Sequence, residues 1–182
     1  MATLDATAGG PTSNSYCDVT YATDYLTTSR LNFSAWTGAT LVTQSAALMW
    51  ATRMLDEIMT WKGIRYKLSF DSVGNPVQAL RWPRSAVQDA DGYWYPFNTI
   101  PDVVKQAAAG LAIALIEKNR ILEPALLGQG FVDASGAGFA VKVDRSQILS
   151  LIPMHVLAKL QFVGSAQGLG VGGIVQATLI RS

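Results

Sequence analysis

Apolar residues return every three or four positions between 42 and 61, where Leu48, Ala51, Leu55, Ile58 and Met59 fall on one face. That spacing predicts a long amphipathic helix from about Val42 to Trp61, with Gly63 just beyond as its terminating glycine. A second stripe, Val104, Ala107, Ala108, Leu111, Leu115 and Ile116, predicts a helix from Pro101 to about Asn119. Ala109, Gly110, Ala112 and Ala114 keep its remaining faces small, so neighbours can approach closely and this is the candidate for the most buried helix. A proline at the first helical position, followed by Asp102 facing the positive end of the dipole, is a helix-start signal. Shorter helices are predicted from a cap at Thr20 through about Arg30, carrying Tyr21, Tyr25 and Leu26, and from Pro153 onward, carrying Val156, Leu157, Leu160 and Phe162.

The period changes late in the chain. Phe139, Val141 and Val143 alternate with Ala140, Lys142 and Asp144, as in a half-buried strand. Gly164 to Gly173 is rich in glycine, and Ile174-Val175-Gln176-Ala177-Thr178-Leu179-Ile180 reads as a strand on the end of that tether. An isolated strand cannot bury itself, so it should pair with another sheet or another subunit. The expected fold class is mainly α: a small helical bundle with a few short β-strands in the C-terminal third and an extended C-terminal arm. Four segments follow: a flexible N-terminal arm (1–15), a helical core (16–123), a strand-containing insertion with a short helix (124–163), and the tether with its terminal strand (164–182).

Between the two main helices lies a long connection, Gln78 to Pro101. Its densest part is Gln78-Ala79-Leu80-Arg81-Trp82-Pro83-Arg84, where Pro83 biases Trp82 toward an extended backbone and forces the chain to turn. Leu80, Trp82, Pro83, Arg84, Ile100 and Pro101 are the expected structural anchors. After them come an aspartate-rich turn, Asp89-Ala90-Asp91-Gly92, and an aromatic run, Tyr93-Trp94-Tyr95-Pro96-Phe97.

Composition narrows the function. With 182 residues the chain suits one domain, and 49% hydrophobic against 15% charged residues leaves few charges to cover a surface, as burial between subunits would explain. A net charge of +1 argues against a large electrostatic footprint for nucleic acid, though not against a local patch. One cysteine, Cys17, allows no intramolecular disulfide, and one histidine, His155, allows no multi-imidazole metal site. No apolar run reaches membrane-spanning length and no leader pattern opens the chain, so the expected place of synthesis is the cytosol.

Candidate chemistry is sparse. His155 has no acidic neighbour and Cys17 no activating base, so both read as structural and no enzyme, metal or cofactor is expected. Asp89-Ala90-Asp91-Gly92 starts like a calcium loop but lacks the distal acid, and the glycines from Gly168 to Gly173 lead to a strand instead of a helix, unlike a phosphate-binding loop. Arg53, Lys62, Arg65, Lys67, Arg81 and Arg84, interleaved with Trp61, Tyr66 and Trp82, are the best case for nucleic acid, with Arg65, Lys67 and Arg81 the candidate contacts. Asp56, Glu57 and Asp71 offset that charge, and arginine beside tryptophan also suits a subunit interface or core, which is the preferred reading.

Tyr21 to Arg30 with Trp36, Ala51-Thr52, Trp61-Lys62-Gly63, the Gln78–Arg84 segment, Asp91-Gly92 and Ile100-Pro101-Asp102-Val103-Val104-Lys105 together resemble the head-tail connector, or adaptor, proteins of tailed bacteriophages. Related sequences are labelled DnaT-like single-stranded-DNA-binding proteins. The resemblance implies a structural virion protein at the head-tail junction. Copies would form a ring, commonly dodecameric, docked beneath the portal protein, extending a DNA channel through which duplex passes and offering a surface to tail or nozzle proteins. Ile174 to Ile180 would then be the arm contacting the portal or a neighbouring subunit. The alternative is a single-stranded-DNA-binding module of a replication or packaging apparatus, using Arg81, Trp82 and Arg84.

Overall fold

The protein is described by a computed structural model covering residues 3–66, 77–117 and 152–166. Within them the chain is mainly helical with a few short strands, the expected fold class. The strand expected at Phe139–Val143, the terminal arm Ile174–Ile180 and Lys67 lie outside the described residues.

Helix α1 (Val19–Ser29) starts two residues earlier than the Thr20 cap would place it, because Asp18 takes that role: its carboxylate accepts the Tyr21 amide at 2.7 Å. A single turn, α2 (Ser34–Thr37), drives Trp36 into the core, where its indole N–H donates to Thr23 Oγ1 at 2.9 Å. Helix α3 (Leu41–Ile58) is capped by Thr40, whose hydroxyl accepts the Thr43 amide at 3.2 Å. Its buried stripe includes Leu48, Ala51, Thr52 and Leu55.

The helix does not continue to Trp61. Strand β1 (Met59–Trp61) takes over, with Met59 and Trp61 buried and Thr60 exposed. It pairs antiparallel with β4 (Gly164–Ala166), Thr60 opposite Ser165, so the start of the expected glycine-rich tether is part of a ladder. Gly63 is likewise not a helix terminator. At φ +70° it carries the chain from β1 into β2 (Ile64–Arg65), where a Cβ would collide with the Ser85 carbonyl oxygen. Strand β2 pairs antiparallel with β3 (Arg84–Ser85), Arg65 opposite Arg84.

Helix α4 (Asp102–Glu117) is buried along most of its length, from Val104 through Ala114. Pro101 sits one step outside it, its carbonyl accepting from the Val104 and Lys105 amides at 3.0 and 3.2 Å. The small side chains admit α3 and α2 on some faces and α5 (Met154–Leu160) on another. At Gly110 a Cβ would already touch Val156 Cγ2, at 3.4 Å. Val156 and Leu160 of α5 are buried, whereas Phe162, expected to join them, is exposed.

Residues 3–15, within the segment expected to be an arm, form a hydrogen-bonded loop. Asp5 organises it: its carboxylate accepts from the Thr7 amide (2.9 Å) and the Thr12 hydroxyl (2.7 Å), and its carbonyl accepts from the Asn14 and Ser15 amides. The Ala79 amide donates to Gly10 O at 3.0 Å, docking the loop against the anchor segment. One buried cluster joins Tyr16, Leu26, Trp36, Leu48, Leu55, Trp61, Trp82, Leu111, Val156 and their neighbours. Much of the apolar content that suggested burial between subunits is therefore consumed inside the chain. Among the described residues no helix is long and apolar enough to cross a membrane.

Candidate functional site

The anchor segment folds inward. Trp82 is fully buried, its ring edge-on to Trp61 at 5.8 Å, and Trp61 is in turn edge-on to Tyr16 at 6.3 Å. Buried Gln78 closes the turn, donating from Nε2 to the carbonyls of Leu80 (2.9 Å) and Pro83 (3.0 Å). Pro83, Ile100 and Pro101 are buried and Leu80 partly so. Asp56 of α3 ties this layer to the helices: its carboxylate accepts from the Tyr16 hydroxyl, from Trp61 Nε1 at 3.1 Å and from the Arg81 amide at 3.1 Å. Burial pushes the Asp56 carboxyl above its ordinary range while these donors pull it back, and burial, with Asp56 beside it, holds the Tyr16 phenol well above its own.

Arg84 is a structural cation. It donates from Nε to Lys62 O (2.6 Å), from Nη2 to Gly63 O (2.6 Å) and from Nη1 to Arg81 O (3.1 Å), stitching β3 to the β1–β2 turn. Partial burial, then the charges of Arg65 and Arg81, lower its pKa, so three guanidiniums share one neighbourhood. Among the described residues neither Lys62, Arg65, Arg81 nor Arg84 is in a salt bridge.

Beside this cluster the aromatic run turns outward. Asp89 closes the turn, its carboxylate accepting the Asp91 and Tyr93 amides at 2.9 and 2.8 Å, and Gly92 at φ +86° completes it. The carboxylate is thereby spent on the backbone, and no metal-binding group of acids occurs among the described residues. Gln88 bridges Trp94, and the Tyr95 amide donates to Val87 O at 3.0 Å, so the two arms form a hairpin with Val87 in the core. Tyr95 packs against the core, while Tyr93 (73% exposed) and Trp94 (65%) stand in solvent. Phe97 (54%) lies 5.1 Å from the ring of Tyr66 (40%) at a tilt of 49°. Four solvent-facing rings, Tyr66, Tyr93, Trp94 and Phe97, are thus carried by segments that flank the guanidinium cluster along the chain.

The sequence-predicted candidates divide. Arg65 and Arg81 lie near Arg84, which is fixed to the β1–β2 turn; Arg81 also lines a cleft with Arg53, Asp56 and Glu57, and Lys67 is outside the described residues. Trp82 belongs to the core and cannot stack on anything outside. Sequence reasoning missed Tyr93, Trp94 and Phe97 as a surface, although five residues with four aromatics after an Asp-Gly turn was the available signal. Arg53, on the exposed face of α3, lies over the half-exposed Trp50 ring at 5.4 Å, away from this group in sequence. Cys17 and His155 take no part: Cys17 is buried, its thiol pushed up to about 12 chiefly by burial, and His155 is on α5.

Residues 3–138 match the model of the family described as "Putative DnaT-like ssDNA binding protein", a span of more than half the chain. No curated protein and no solved structure matches the chain. The match corrects the head-tail connector resemblance and what it implied of function and partners: portal docking, a dodecameric ring, tail partners and a duplex channel. Its physical basis fails as well, since the apolar stripes that suggested tiling are packed against one another within one core.

Proposed function

The chain belongs to the DnaT-like ssDNA binding protein family, and from that premise we propose that it binds single-stranded DNA, without catalysis, on the edge formed by Tyr66, Tyr93, Trp94 and Phe97 with Arg65 and Arg81. The observation that carries this reading is four aromatic rings left in solvent on segments flanking guanidiniums that are in no salt bridge among the described residues. Unpaired bases have free π-faces to stack on such rings, while guanidiniums hold the phosphates between them. Stacked duplex bases offer no such face, so the edge favours a single strand. Its charge is local, consistent with a net charge of only +1.

Fluorescence anisotropy with a labelled oligothymidylate tests the reading. Trp94→Ala should weaken binding by about 1–3 kcal/mol, the usual worth of one base stacked on an aromatic. Arg65→Gln should lower the salt slope by about 0.7, one phosphate's share on a single strand. Trp94 is mostly exposed, so its removal should leave the fold's circular dichroism unchanged. Undiminished affinity in a folded Trp94→Ala, Tyr66→Ala double variant would remove this surface as the site.

A further inference from the structure

A cleft of about 380 Å³ opens between the end of α1, the middle of α4 and the face of α5, lined by Tyr25, Ser29, Arg30, Gln106, Lys159 and their neighbours Gly110, His155 and Val156. None of these residues belongs to the aromatic edge. Among the described residues no carboxylate lines it, while two basic side chains, Arg30 and Lys159, do. Lys159 Nζ donates to Gln106 Oε1 at 3.3 Å and lies over the Tyr25 ring at 5.6 Å, and it is in no salt bridge among the described residues. Arg30 meets Glu117 through Nη2 at 3.5 Å, but its Nη1 is buried and has no hydrogen-bond partner among the described residues. A buried guanidinium nitrogen without an acceptor is costly, and native structures rarely leave one so. The cleft is therefore walled by a guanidinium with one unsatisfied nitrogen, a second basic side chain, and a partly apolar surface from Tyr25, Gly110 and Val156.

We propose that this cleft binds a phosphate monoester, its phosphoryl oxygens taken by the Arg30 guanidinium and Lys159 and its organic part lying along Tyr25 and Val156. A tetrahedral dianion answers both cations at once, which a single carboxylate would do less completely. The volume exceeds what a bare phosphate fills, within the range of small-ligand pockets, leaving room for an attached sugar. That chemistry could come from a free nucleotide or from the 5′-terminal phosphate of a DNA strand. The site stands independently of the stacking edge.

The test is amide chemical-shift mapping of the full chain with inorganic phosphate, with thymidine 5′-monophosphate and with thymidine. Phosphate and the monophosphate should shift residues around Arg30, Gln106 and Lys159, and thymidine should not. Lys159→Gln, which disturbs only a surface contact with Gln106 and Tyr25, should weaken monophosphate binding about tenfold, as should Arg30→Gln. A short oligothymidylate with and without a 5′-phosphate separates the sources: tighter binding of the phosphorylated strand, lost in Lys159→Gln but kept in Trp94→Ala, assigns the strand end. Equal binding of the two strands, with monophosphate still shifting the cleft, assigns the free nucleotide. Shifts absent from the cleft, or scattered over the surface and indifferent to both substitutions, overturn the proposal.

Discussion

Replacing Asp56 by alanine would remove the acceptor for three donors at once: the Tyr16 hydroxyl, Trp61 Nε1 and the Arg81 amide. Tyr16 and Trp61 are both buried, and each buried donor left without a partner costs about 1–3 kcal/mol. The Arg81 amide lies at an exposed position and can turn to water. Losing the buried carboxylate also relieves its desolvation, which offsets part of the loss, so the expected net destabilisation is about 2–4 kcal/mol. Asp56→Asn keeps one oxygen for the two side-chain donors but sets an amide N–H₂ or an empty position against the Arg81 amide, and should cost about 1–2 kcal/mol. Urea unfolding measures both as a fall in midpoint at unchanged slope. The pH dependence carries its own sign. Because burial raises the Asp56 carboxyl above its ordinary 3.8, the folded chain binds this proton more tightly than the unfolded chain. The stabilisation from that proton is complete below 3.8 and is lost as pH rises through the raised folded value. The advantage of the native protein over Asp56→Asn should accordingly be greatest in acid and level off above that window. An Asp56→Ala change within about 0.5 kcal/mol, the range of an ordinary surface substitution, would refute the hub, and an advantage that grows with pH would refute the burial argument.

Gly63→Ala forces a side chain into φ +70° and against the Ser85 carbonyl, so thermal unfolding should show a loss above about 1 kcal/mol; a neutral result would mean the β1–β2 turn is not built as described. Cys17, buried with its thiol near 12, should react with a disulfide reagent far more slowly in native protein than in urea. Equal rates in the two conditions would contradict its placement in the core.

What could be read from the sequence was what repeats. Helices α3 and α4 run long enough for their stripes to stand out, and the alanines and glycine of α4 announced close packing before any coordinate did. Strand β1 was hidden because three residues give only one alternation, and Met59 and Trp61 fit the end of the helical stripe as well as they fit a ladder. Its partner β4 lies about a hundred residues later, beyond the reach of any local signal. At α1 two cap-type residues stood two apart, Asp18 and Thr20, and only the geometry at the Tyr21 amide chooses between them. The candidate surface was half legible. Proximity in sequence grouped Trp82 with Arg81 and Arg84, yet in an extended backbone neighbours face opposite ways, and Trp82 went to the core. Conversely, Tyr93, Trp94 and Phe97 looked like a connection because their exposure follows from a hairpin that Asp89 and Gly92 set. The head-tail reading came from motifs now seen to build the core and its anchor, and such motifs report a shared fold more than a shared partner.

The most direct test of single-strand recognition is competition between one oligonucleotide sequence presented single-stranded and as duplex, titrated into the full-length protein at low salt while tryptophan emission is followed. The account predicts that the single strand binds more tightly, quenches emission through Trp94 and is released as salt rises. Equal or tighter binding of the duplex, or no binding of either form at low salt, would contradict it.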